Sequence, residues 1–396
     1  MHIVYITPEF VTEMQGGGLA TYLANISRIM RTHNHDITII TLSDYDDTYI
    51  WDQEIVVERV KRSNRNIPVP GALILQSGKL CKRLKKVNSR KPVDIVQYAS
   101  YNAVGFFKAR KIPGVVRISS DCVAWRELKV YDYDDKALER CCLTDWIEYF
   151  SMKTGRGIFG PSYATGQIIA KRVGREVKVI ESPFLLKAEE YNYSLYDRLL
   201  KGKKYYLAHS SMSCLKGTHL IGDVIYDICE RDENAYFVFA GSDHGIFWRN
   251  GLKESAKDYI MKRAGKYADR VIFLGTVERK SLYPVVEKAF ACLMPSRIDN
   301  MPNTCIEAMA MGKIVIGTRG ASYEQMIENG KSGYLIEIDK KEDLIKAIAD
   351  LNNLTMEERA EMEKSAIYRT KRFEPEQIYQ QLILYYNEIL SRRKRK

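Results

Sequence analysis

Apolar residues along this chain occur either in short continuous runs or at every third and fourth position. Short runs predict buried strands, and the wider spacing predicts helices with one apolar face. In the first half of the chain, helices are predicted at residues 17–32, 72–88, 136–153 and 162–173. Strands are predicted between them, at residues 2–7, 36–42, 54–59, 93–97, 114–119, 156–160 and 177–181. This alternation is typical of parallel sheets with helices on both faces.

The alternation stops at residues 185–204, which are polar, aromatic and irregular, and then restarts. In the second half, helices are predicted at residues 217–231, 280–288, 303–311 and 340–351. The strands predicted there are residues 205–209, 235–240, 270–274, 290–294 and 313–317. The chain has 396 residues, more than one hydrophobic core usually holds. We therefore expect two α/β domains joined near the interruption.

Loops that follow predicted strands should carry the binding residues, because ligands of open α/β sheets bind beyond the carboxyl ends of the strands. The first strand is followed by Gly16, Gly17 and Gly18. Three glycines before a helix favour close approach of the backbone to a ligand, although a permissive turn is the alternative. Their spacing is not Gly-x-Gly-x-x-Gly, which argues against a nicotinamide nucleotide. Later loops of this kind hold Ser211, Gly241, Gly275 and Asp299.

The most informative loop runs from Asp299 to Glu307, after a predicted buried strand. It places one acid in the loop and a second acid in the predicted first turn of the next helix. The helix N-terminus between them attracts anions, through unpaired backbone N–H groups and the helix dipole. A ligand with hydroxyl groups at both ends and phosphates in the middle, such as a nucleotide sugar, suits this order.

Composition narrows the class of protein. The net charge of +11 indicates an anionic partner, and no recognisable nucleic-acid motif is present. Eight cysteines are scattered without a Cys-x-x-Cys pair, so we expect reduced thiols and no zinc site. The first residues predict a buried strand rather than a signal peptide, and no apolar run approaches the ~20 residues of a membrane span. We therefore expect a cytoplasmic protein.

Taken together, these segments resemble the GT-B-fold glycosyltransferases, specifically the retaining glycosyltransferase family four (glycosyl transferases group 1). The resemblance covers nearly the whole chain and rests on an ordered set of motifs. These are Gly16-Gly17-Gly18, Gly160-Pro161-Ser162, Glu181-Ser182-Pro183, Lys216-Gly217, Pro295-Ser296, Glu307-Ala308-Met309-Ala310-Met311-Gly312 and Gly320-Ala321-Ser322-Tyr323-Glu324.

The resemblance implies two Rossmann-like parallel-sheet domains that face each other across a cleft. Residues 1–190 would form an N-terminal acceptor-binding domain, with the C-terminal helix 376–396 packing back on it. Residues 200–375 would bind the nucleotide-sugar donor. The implied catalytic residues are Asp299, Lys216 and Asp121. The implied donor-binding residues are Gly16, Gly17, Gly18, Ser211, Lys216, Gly241, Gly275, Asn300, Met301, Asn303, Thr304 and Glu307.

Three positions depart from the family pattern. The first acid of the pair is usually Glu and here is Asp299, although the spacing of eight to Glu307 is kept. An Arg often lies five residues before the clamp lysine, and here that position is Ser211. The histidine common near the end of an N-domain strand is absent from the equivalent residues 117–121. Asp121 is then the acceptor-side candidate, and a front-face mechanism with retention fits.

Each motif also has a structural interpretation. Thr304 and Glu307 fit a capping box that only starts a helix. Asp299 is an ordinary turn residue, and Lys216 is an ordinary exposed lysine beside a glycine turn. Asp132-Tyr133-Asp134 matches the metal motif of another glycosyltransferase fold, but we interpret it as a solvated acidic loop. We expect no metal and no cofactor.

Two basic segments raise the question of a membrane surface. Residues 79–86 predict a helix with cations on one side, and residues 392–396 are all basic. Charge runs are usually solvated, and docking on an anionic bilayer is the alternative, on the inner face of the membrane. Lipid-linked acceptors, which the family resemblance implies, favour the second interpretation.

The sequence as a whole predicts a transferase that moves a hexose-type sugar from a nucleoside-diphosphate sugar to a hydroxyl acceptor, a glycan or a lipid-linked glycan. A UDP-sugar is favoured over a GDP-sugar. Two alternatives stay open, a GT-B-fold nucleotide-sugar epimerase and a non-catalytic nucleotide-sugar-binding subunit. The sugar, the acceptor, the linkage and the oligomeric state are not encoded in any recognisable motif.

Overall fold

The structure, a computed structural model, describes residues 1–13, 17–52, 54–63, 67–185 and 190–394. Gly16, one of the predicted binding glycines, lies outside these residues. The chain divides into two compact units. The first consists of Met1–Val123, Glu139–Leu185 and Phe373–Lys396, and the second of Ala124–Leu138 and Leu186–Arg372.

The described part of the first unit contains an eight-stranded sheet in the order β3-β4-β2-β1-β5-β6-β7-β8. All neighbouring strands are parallel except β3 and β4. The strands are β1 His2–Thr7, β2 Asp36–Ser43, β3 Thr48–Trp51, β4 Ile55–Lys61, β5 Ile95–Ala99, β6 Gly114–Arg117, β7 Gly157–Gly160 and β8 Lys178–Val179. The helices of the first half are α1 Gly18–Thr32, α2 Val69–Arg90, α3 Cys122–Leu128, α4 Leu143–Lys153 and α5 Tyr163–Val173.

The second unit contains a six-stranded parallel sheet in the order β14-β11-β9-β15-β16-β17, within the residues described. Its strands are β9 Lys204–Ala208, β11 Ala235–Ala240, β14 Val271–Gly275, β15 Ala291–Met294, β16 Val315–Thr318 and β17 Gly333–Ile336. A small sheet joins β10 Met212–Ser213, β12 Asp243–Phe247 and β13 Lys253–Glu254. The helices are α6 Ser194–Leu199, α7 Thr218–Arg231, α8 Ala256–Ala264, α9 Arg279–Glu287, α10 Asn303–Ala310, α11 Lys341–Asn352 and α12 Met356–Thr370.

Both central sheets are buried on both faces, as the continuous apolar runs predict. Every residue of β1 is buried, and the two faces of the first sheet pack into separate apolar clusters. The last helix, α13 Pro375–Lys394, closes one of these clusters with Leu382, Tyr385 and Tyr386. A side chain at Gly157 would collide with Tyr385, so the glycine allows α13 to approach β7. The α/β class with parallel sheets is confirmed.

The predicted start of one helix is wrong. Residues 136–153 were predicted as continuous helix, but α4 begins only at Leu143. Cys142 caps it, because the Asp145 side chain accepts a 2.8 Å hydrogen bond from the Cys142 backbone N–H. This is the position and geometry of a capping box. Residues 135–139 form a separate 3₁₀ turn before it.

Residues 124–138 lie in the second unit, although the boundary predicted at residue 190 places them in the first. Their backbone pairs with the small sheet, since Val130 forms a parallel bridge with Phe247. The Tyr131 N–H donates a 2.6 Å hydrogen bond to the Phe247 carbonyl, and the Arg249 N–H donates a 2.7 Å hydrogen bond to Asp132. This segment is therefore part of the second fold unit, not a loop beside it.

The buried side chain of Arg297 holds this segment most directly. Its guanidinium donates to the carbonyls of Leu128, Val130 and Tyr131 at 3.2, 2.6 and 2.9 Å. It also forms a 2.8 Å ion pair with Asp339. Burial acts to raise the pKa of Asp339, but the hydrogen bond from His219 and the Arg297 charge lower it overall. Asp339 is therefore ionised and balances the buried cation.

We expect Arg297→Ala to destabilise the second unit by about 3–5 kcal/mol, because it removes the donor from three carbonyls and leaves the half-buried Asp339 without its cation. Chemical denaturation measures this loss, and limited proteolysis should show new cleavage within residues 124–138. Arg319→Ala is the matched control, since Arg319 pairs with Glu337 at 3.3 Å on the exposed surface. It should cost less than about 1 kcal/mol. Equal losses for the two variants would contradict a holding role for Arg297.

Candidate functional site

Two glycines bring together the loops that leave the carboxyl ends of the second sheet. A Cβ atom on Gly217 would lie 1.8 Å from the carbonyl oxygen of Pro295, and Gly217 has a φ of +68°. A Cβ atom on Gly241 would lie 2.0 Å from the carbonyl oxygen of Ser210. No other residue type fits such contacts. The loops after β9, β11 and β15 therefore pack backbone against backbone, and the Gly241 N–H reaches the Gly275 carbonyl at 2.8 Å.

Lys216 and Asp299 meet in this cluster of loops. The Lys216 ammonium contacts Oδ2 of Asp299, and both side chains are largely buried. Oδ1 of Asp299 accepts a 2.9 Å hydrogen bond from the Asn300 N–H. The Ser322 hydroxyl donates a 2.9 Å hydrogen bond to the Asp299 carbonyl. The sequence predicts separate roles for these two residues, and the structure joins them in one ion pair.

The helix after Asp299 begins two residues earlier than a capping box of Thr304 and Glu307 requires. Helix α10 runs from Asn303 to Ala310 with Pro302 as its N-cap, and no side chain caps it. Glu307 is therefore the fifth helical residue and cannot return to the backbone of the N-cap. The capping-box interpretation of Thr304 and Glu307 is wrong, as is the placement of Glu307 in the first turn. The backbone N–H groups of Asn303 and Thr304 lie at the helix start, where an anion binds best.

Glu307 occupies a different environment from Asp299. Its side chain is buried, and burial raises its pKa despite the charge of Arg279 and a hydrogen bond with Tyr283. The nearest Arg279 nitrogen lies 3.8 Å away, too far for a strong hydrogen bond. A carboxylate that is buried but weakly paired gains most from new hydrogen-bond donors. Glu307 is thus suited to accept hydrogen bonds from ligand hydroxyl groups.

His209 follows β9 and is fully buried. Its Nε2 lies 3.3 Å from the Thr304 carbonyl, which can only accept, so Nε2 carries the proton. Burial lowers the pKa of His209 to about 4, and the imidazole is neutral at pH 7. Within the described residues its Nδ1 has no hydrogen-bond partner. His209 therefore fixes the start of α10 and adds no charge, which leaves Lys216 as the cation of this loop.

Asp121, the acceptor-side candidate, lies in the first unit and is completely buried. Its Oδ2 accepts hydrogen bonds from the Tyr149 hydroxyl at 2.7 Å and from Arg172 at 2.9 Å. These contacts occupy the carboxylate within the core. The arrangement is that of a buried ion pair, and a role of Asp121 toward the acceptor stays a prediction.

Two of the predicted donor-binding glycines start α1 in the same unit. Gly17 is the N-cap of the helix, and Gly18 is its first residue. A Cβ atom on Gly17 would lie 3.0 Å from the Glu9 carboxylate, whereas one on Gly18 would meet nothing within 4 Å. The space beside Gly18 is thus open, while Gly17 makes room for Glu9, and the donor-binding role of both glycines stays a prediction.

A polar cluster in the first unit escaped the sequence analysis. Glu148 accepts a 2.8 Å hydrogen bond from the Asn102 N–H, in the loop after β5. Asn102 and Ala103 both have positive φ values, 56° and 47°, which non-glycine residues rarely adopt. Burial raises the pKa of Glu148 to about 7. Burial also raises the pKa of the neighbouring Tyr101, and the charge of Glu148 adds to this. Strained backbone and a shifted carboxyl are features of functional sites.

Both acids of Asp132-Tyr133-Asp134 accept hydrogen bonds from backbone N–H groups in the described structure. Oδ1 of Asp132 accepts from the Arg249 N–H, and Oδ1 of Asp134 accepts a 3.0 Å hydrogen bond from the Lys136 N–H. The ring of Tyr133 lies under the Arg297 guanidinium at 4.9 Å. These residues therefore help to fasten residues 124–138, and the interpretation of a purely solvated loop is too simple.

The second half of the chain is similar to known proteins. Residues 197–369 match the family model of glycosyl transferases group 1. A stretch of 140 residues is 30% identical to spore coat protein SA of Bacillus subtilis (strain 168). This stretch is 35% of the present chain and spans only 36% of that relative's length. The region that carries Lys216, Asp299 and Glu307 is therefore similar to the glycosyl transferases group 1.

Solved structures match over nearly the whole chain. Sucrose-phosphate synthase from Thermosynechococcus elongatus has a TM-score of 0.76 at 15% identity, covering 98% of this chain and 99% of that one. The Anabaena protein HepE, solved in complex with UDP, has a TM-score of 0.69 at 16% identity, with 98% and 100% covered. An E. coli structure bound with UDP-2-fluoro glucose has a TM-score of 0.76 at 10% identity, with 98% and 99% covered. The predicted GT-B fold class is confirmed.

We expect Glu148→Gln to stabilise the protein increasingly as the pH rises. The folded-state pKa of about 7 exceeds the ordinary 4.5, so wild-type stability falls between these values as the unfolded chain loses its proton first. Glutamine keeps the acceptor for Asn102 and has no proton to lose. The difference in unfolding free energy should grow by on the order of 3 kcal/mol between about pH 4 and about pH 8.

The matched control for this prediction is Glu361→Gln, on the exposed face of α12. Denaturant titrations of both variants across the pH range provide the measurement. A pH-independent difference for Glu148→Gln would mean that Glu148 is not held protonated by the fold.

Proposed function

We propose that this protein transfers a hexose-type sugar from a nucleoside-diphosphate sugar to a hydroxyl group of an acceptor glycan, with retention of the anomeric configuration. The observation that carries the proposal is the meeting of Lys216, Asp299 and the start of α10 at one edge of the second sheet. The match of residues 197–369 to glycosyl transferases group 1 supports it. Neighbours of the same fold that were solved with UDP or a UDP-sugar also support it. UDP is therefore the nucleotide we favour.

Charge at the site fits a diphosphate. Lys216 and the N–H groups of Asn303 and Thr304 are positive, and they lie close in the chain to the two acids Asp299 and Glu307. In the proposal, the cation and the helix start hold the two phosphates. Glu307, with its weak pairing to Arg279, accepts hydrogen bonds from the ribose hydroxyl groups. Asp299 and the N–H groups of Asn300 and Met301 hold the sugar.

The proposed reaction breaks the bond between the anomeric carbon and the phosphate oxygen. It forms a bond from that carbon to the acceptor oxygen on the same face. The departing phosphate oxygen takes the proton of the acceptor hydroxyl, so no separate base is needed. Lys216 and the start of α10 stabilise the charge that develops on the leaving diphosphate, the kind of interaction that usually contributes most to catalysis.

The ion pair gives Lys216 and Asp299 a shared role in this scheme. Lys216 has three N–H donors, so it can keep its contact with Asp299 and still contact a phosphate. Asp299 would thereby hold the ammonium group in place for the diphosphate and hold the sugar with its remaining lone pairs. We propose that transfer needs no metal ion, because these groups supply the positive charge. The first unit would bind the acceptor through the cluster of Glu148 and Tyr101.

We expect Glu307→Ala mainly to weaken nucleotide binding and Asp299→Ala mainly to lower turnover. Loss of charge-assisted hydrogen bonds to the ribose should raise the Kd for UDP roughly 10- to 100-fold. Loss of the group that positions the sugar and Lys216 should lower kcat about 100-fold. Calorimetry with UDP, GDP and ADP measures the first effect, and steady-state kinetics with a UDP-sugar measures the second.

Asp232→Ala is the matched control for Asp299→Ala. Asp232 forms an ion pair with Lys204 at 2.8 Å in the same unit, at the opposite ends of the strands, and is similarly buried. It should leave both binding and turnover near wild type. If Asp232→Ala and Asp299→Ala lower turnover equally, the acid of the loop is structural and the assignment fails.

Incubation with donor alone separates the proposed transferase from its alternatives. A transferase should leave the donor sugar unchanged when no acceptor is present, apart from slow hydrolysis to UDP and free sugar. Appearance of an epimeric nucleotide sugar would instead establish an epimerase. Donor binding without turnover on a broad acceptor panel would support a non-catalytic subunit.

A further inference from the structure

One helix of the first unit presents an apolar face to solvent. On α4, Leu143, Trp146 and Phe150 are 64%, 61% and 50% exposed. Their spacing of three and four residues puts them on the same side of the helix. The acids of α4, Asp145 and Glu148, are buried on the other side. A helix of a folded protein rarely turns three large apolar side chains outward without a partner.

The loop after β5 extends this face. The ring of Phe106 lies 5.3 Å from Phe150 and 5.1 Å from Phe107, which is 45% exposed. Phe107 in turn covers Gly78 of α2, where a Cβ atom would lie 3.7 Å from its ring. We call these five residues the aromatic face, namely Phe106, Phe107, Leu143, Trp146 and Phe150. They form one continuous apolar surface from α4 to α2.

Hydrogen bonds hold the aromatic face rigid. Lys108 donates to the Ser151 carbonyl at 2.6 Å and to the Thr154 hydroxyl at 2.9 Å, which ties the loop to the end of α4. The Phe107 N–H donates a 2.8 Å hydrogen bond to Ser77, whose hydroxyl donates to the Val104 carbonyl at 3.0 Å. These bonds tie the same loop to α2. The exposure of the aromatic face is therefore built into the fold.

Cations border the aromatic face. Lys82 lies one turn after Gly78, the glycine that Phe107 covers, on the same side of α2, and Lys79 follows that glycine in the chain. Arg110 and Lys111 follow Phe107 in the chain, and Lys153 ends α4 one turn after Phe150. All five are exposed. An apolar centre bordered by positive charge is complementary to an anionic lipid surface, where aromatic rings enter the interface and cations stay with the headgroups.

We propose that the aromatic face docks this protein on the surface of an anionic lipid bilayer. A second copy of the chain is a poorer occupant, because pairing of two such faces would bring their cationic borders together. No helix in the described ranges has the length and apolar character to cross a bilayer, and docking requires none. Binding in this form is a surface interaction of α2, α4 and the loop between β5 and β6. It is independent of the transfer reaction, so it stands or falls separately from the proposed function.

The test uses the full chain and flotation with vesicles. Vesicles of phosphatidylcholine with phosphatidylglycerol should bind the protein, and vesicles of phosphatidylcholine alone should bind it much less. Added salt should weaken binding, because screening reduces the attraction between cations and lipid. Leu143→Ser with Phe150→Ser should lower the vesicle affinity at least about tenfold, because two apolar side chains no longer leave water.

The matched control replaces an exposed leucine and an exposed aromatic residue elsewhere, Leu384→Ser with Tyr368→Ser, which are 66% and 71% exposed. It should bind vesicles as the wild type does. In addition, brominated lipid should quench the fluorescence of the unmodified protein, and Trp146→Phe should abolish most of that quenching. This second measurement does not depend on the folding of a serine variant.

Three results would overturn the proposal. The first is equal affinity of the protein for anionic and neutral vesicles, or no binding to either. The second is equal loss of binding in both double variants. The third is a dimer in sedimentation that Leu143→Ser with Phe150→Ser dissociates, which would make the aromatic face an interface between copies of this chain.

Discussion

The second unit depends on the burial of one guanidinium group. Arg297 lies two residues before Asp299, and its nitrogen atoms are satisfied by Asp339 and by three carbonyls of residues 128–131. An arginine can be buried only when its donors are met in this way, because an unpaired buried charge is costly. This need for acceptors holds two parts of the chain in place. One is the loop that carries Asp299, and the other is a segment 169 positions away in the chain.

Much of the fold follows from local pattern. The buried run of β1 and the periodic apolar residues of α1 predict these elements almost to the residue, because burial on both sides of a parallel sheet leaves a strong signal. The short strands of the small sheet leave none, since β10 and β13 have two residues each. Their positions depend on partners such as residues 124–138, and those pairings are long-range.

The candidate site is likewise predictable where it depends on local pattern and not where it depends on long-range contacts. The loops that carry Lys216 and Asp299 are predictable from their place after strands, but their ion pair joins residues 83 positions apart. The capping-box interpretation of Glu307 failed because the helix begins at Asn303, which makes Pro302 the N-cap in place of Thr304. Glu148 is hidden from sequence analysis for a similar reason. It lies in an apolar helix, and only the strained loop at Asn102 and Ala103 shows that it faces a polar cluster.

The membership of residues 124–138 in the second unit has a consequence for how this protein can be divided. The chain crosses from one unit to the other after Val123, after Leu138, after Leu185 and after Arg372. A fragment that begins at residue 186 would therefore leave Arg297 without its three carbonyl partners and would lose the segment that pairs with Phe247. To produce the second unit alone, residues 124–138 would have to be joined to residues 186–372. To produce the first unit alone, residues 1–123, 139–185 and 373–396 would have to be joined. The two units are thus separate cores, but neither can be isolated by a single cut in the chain.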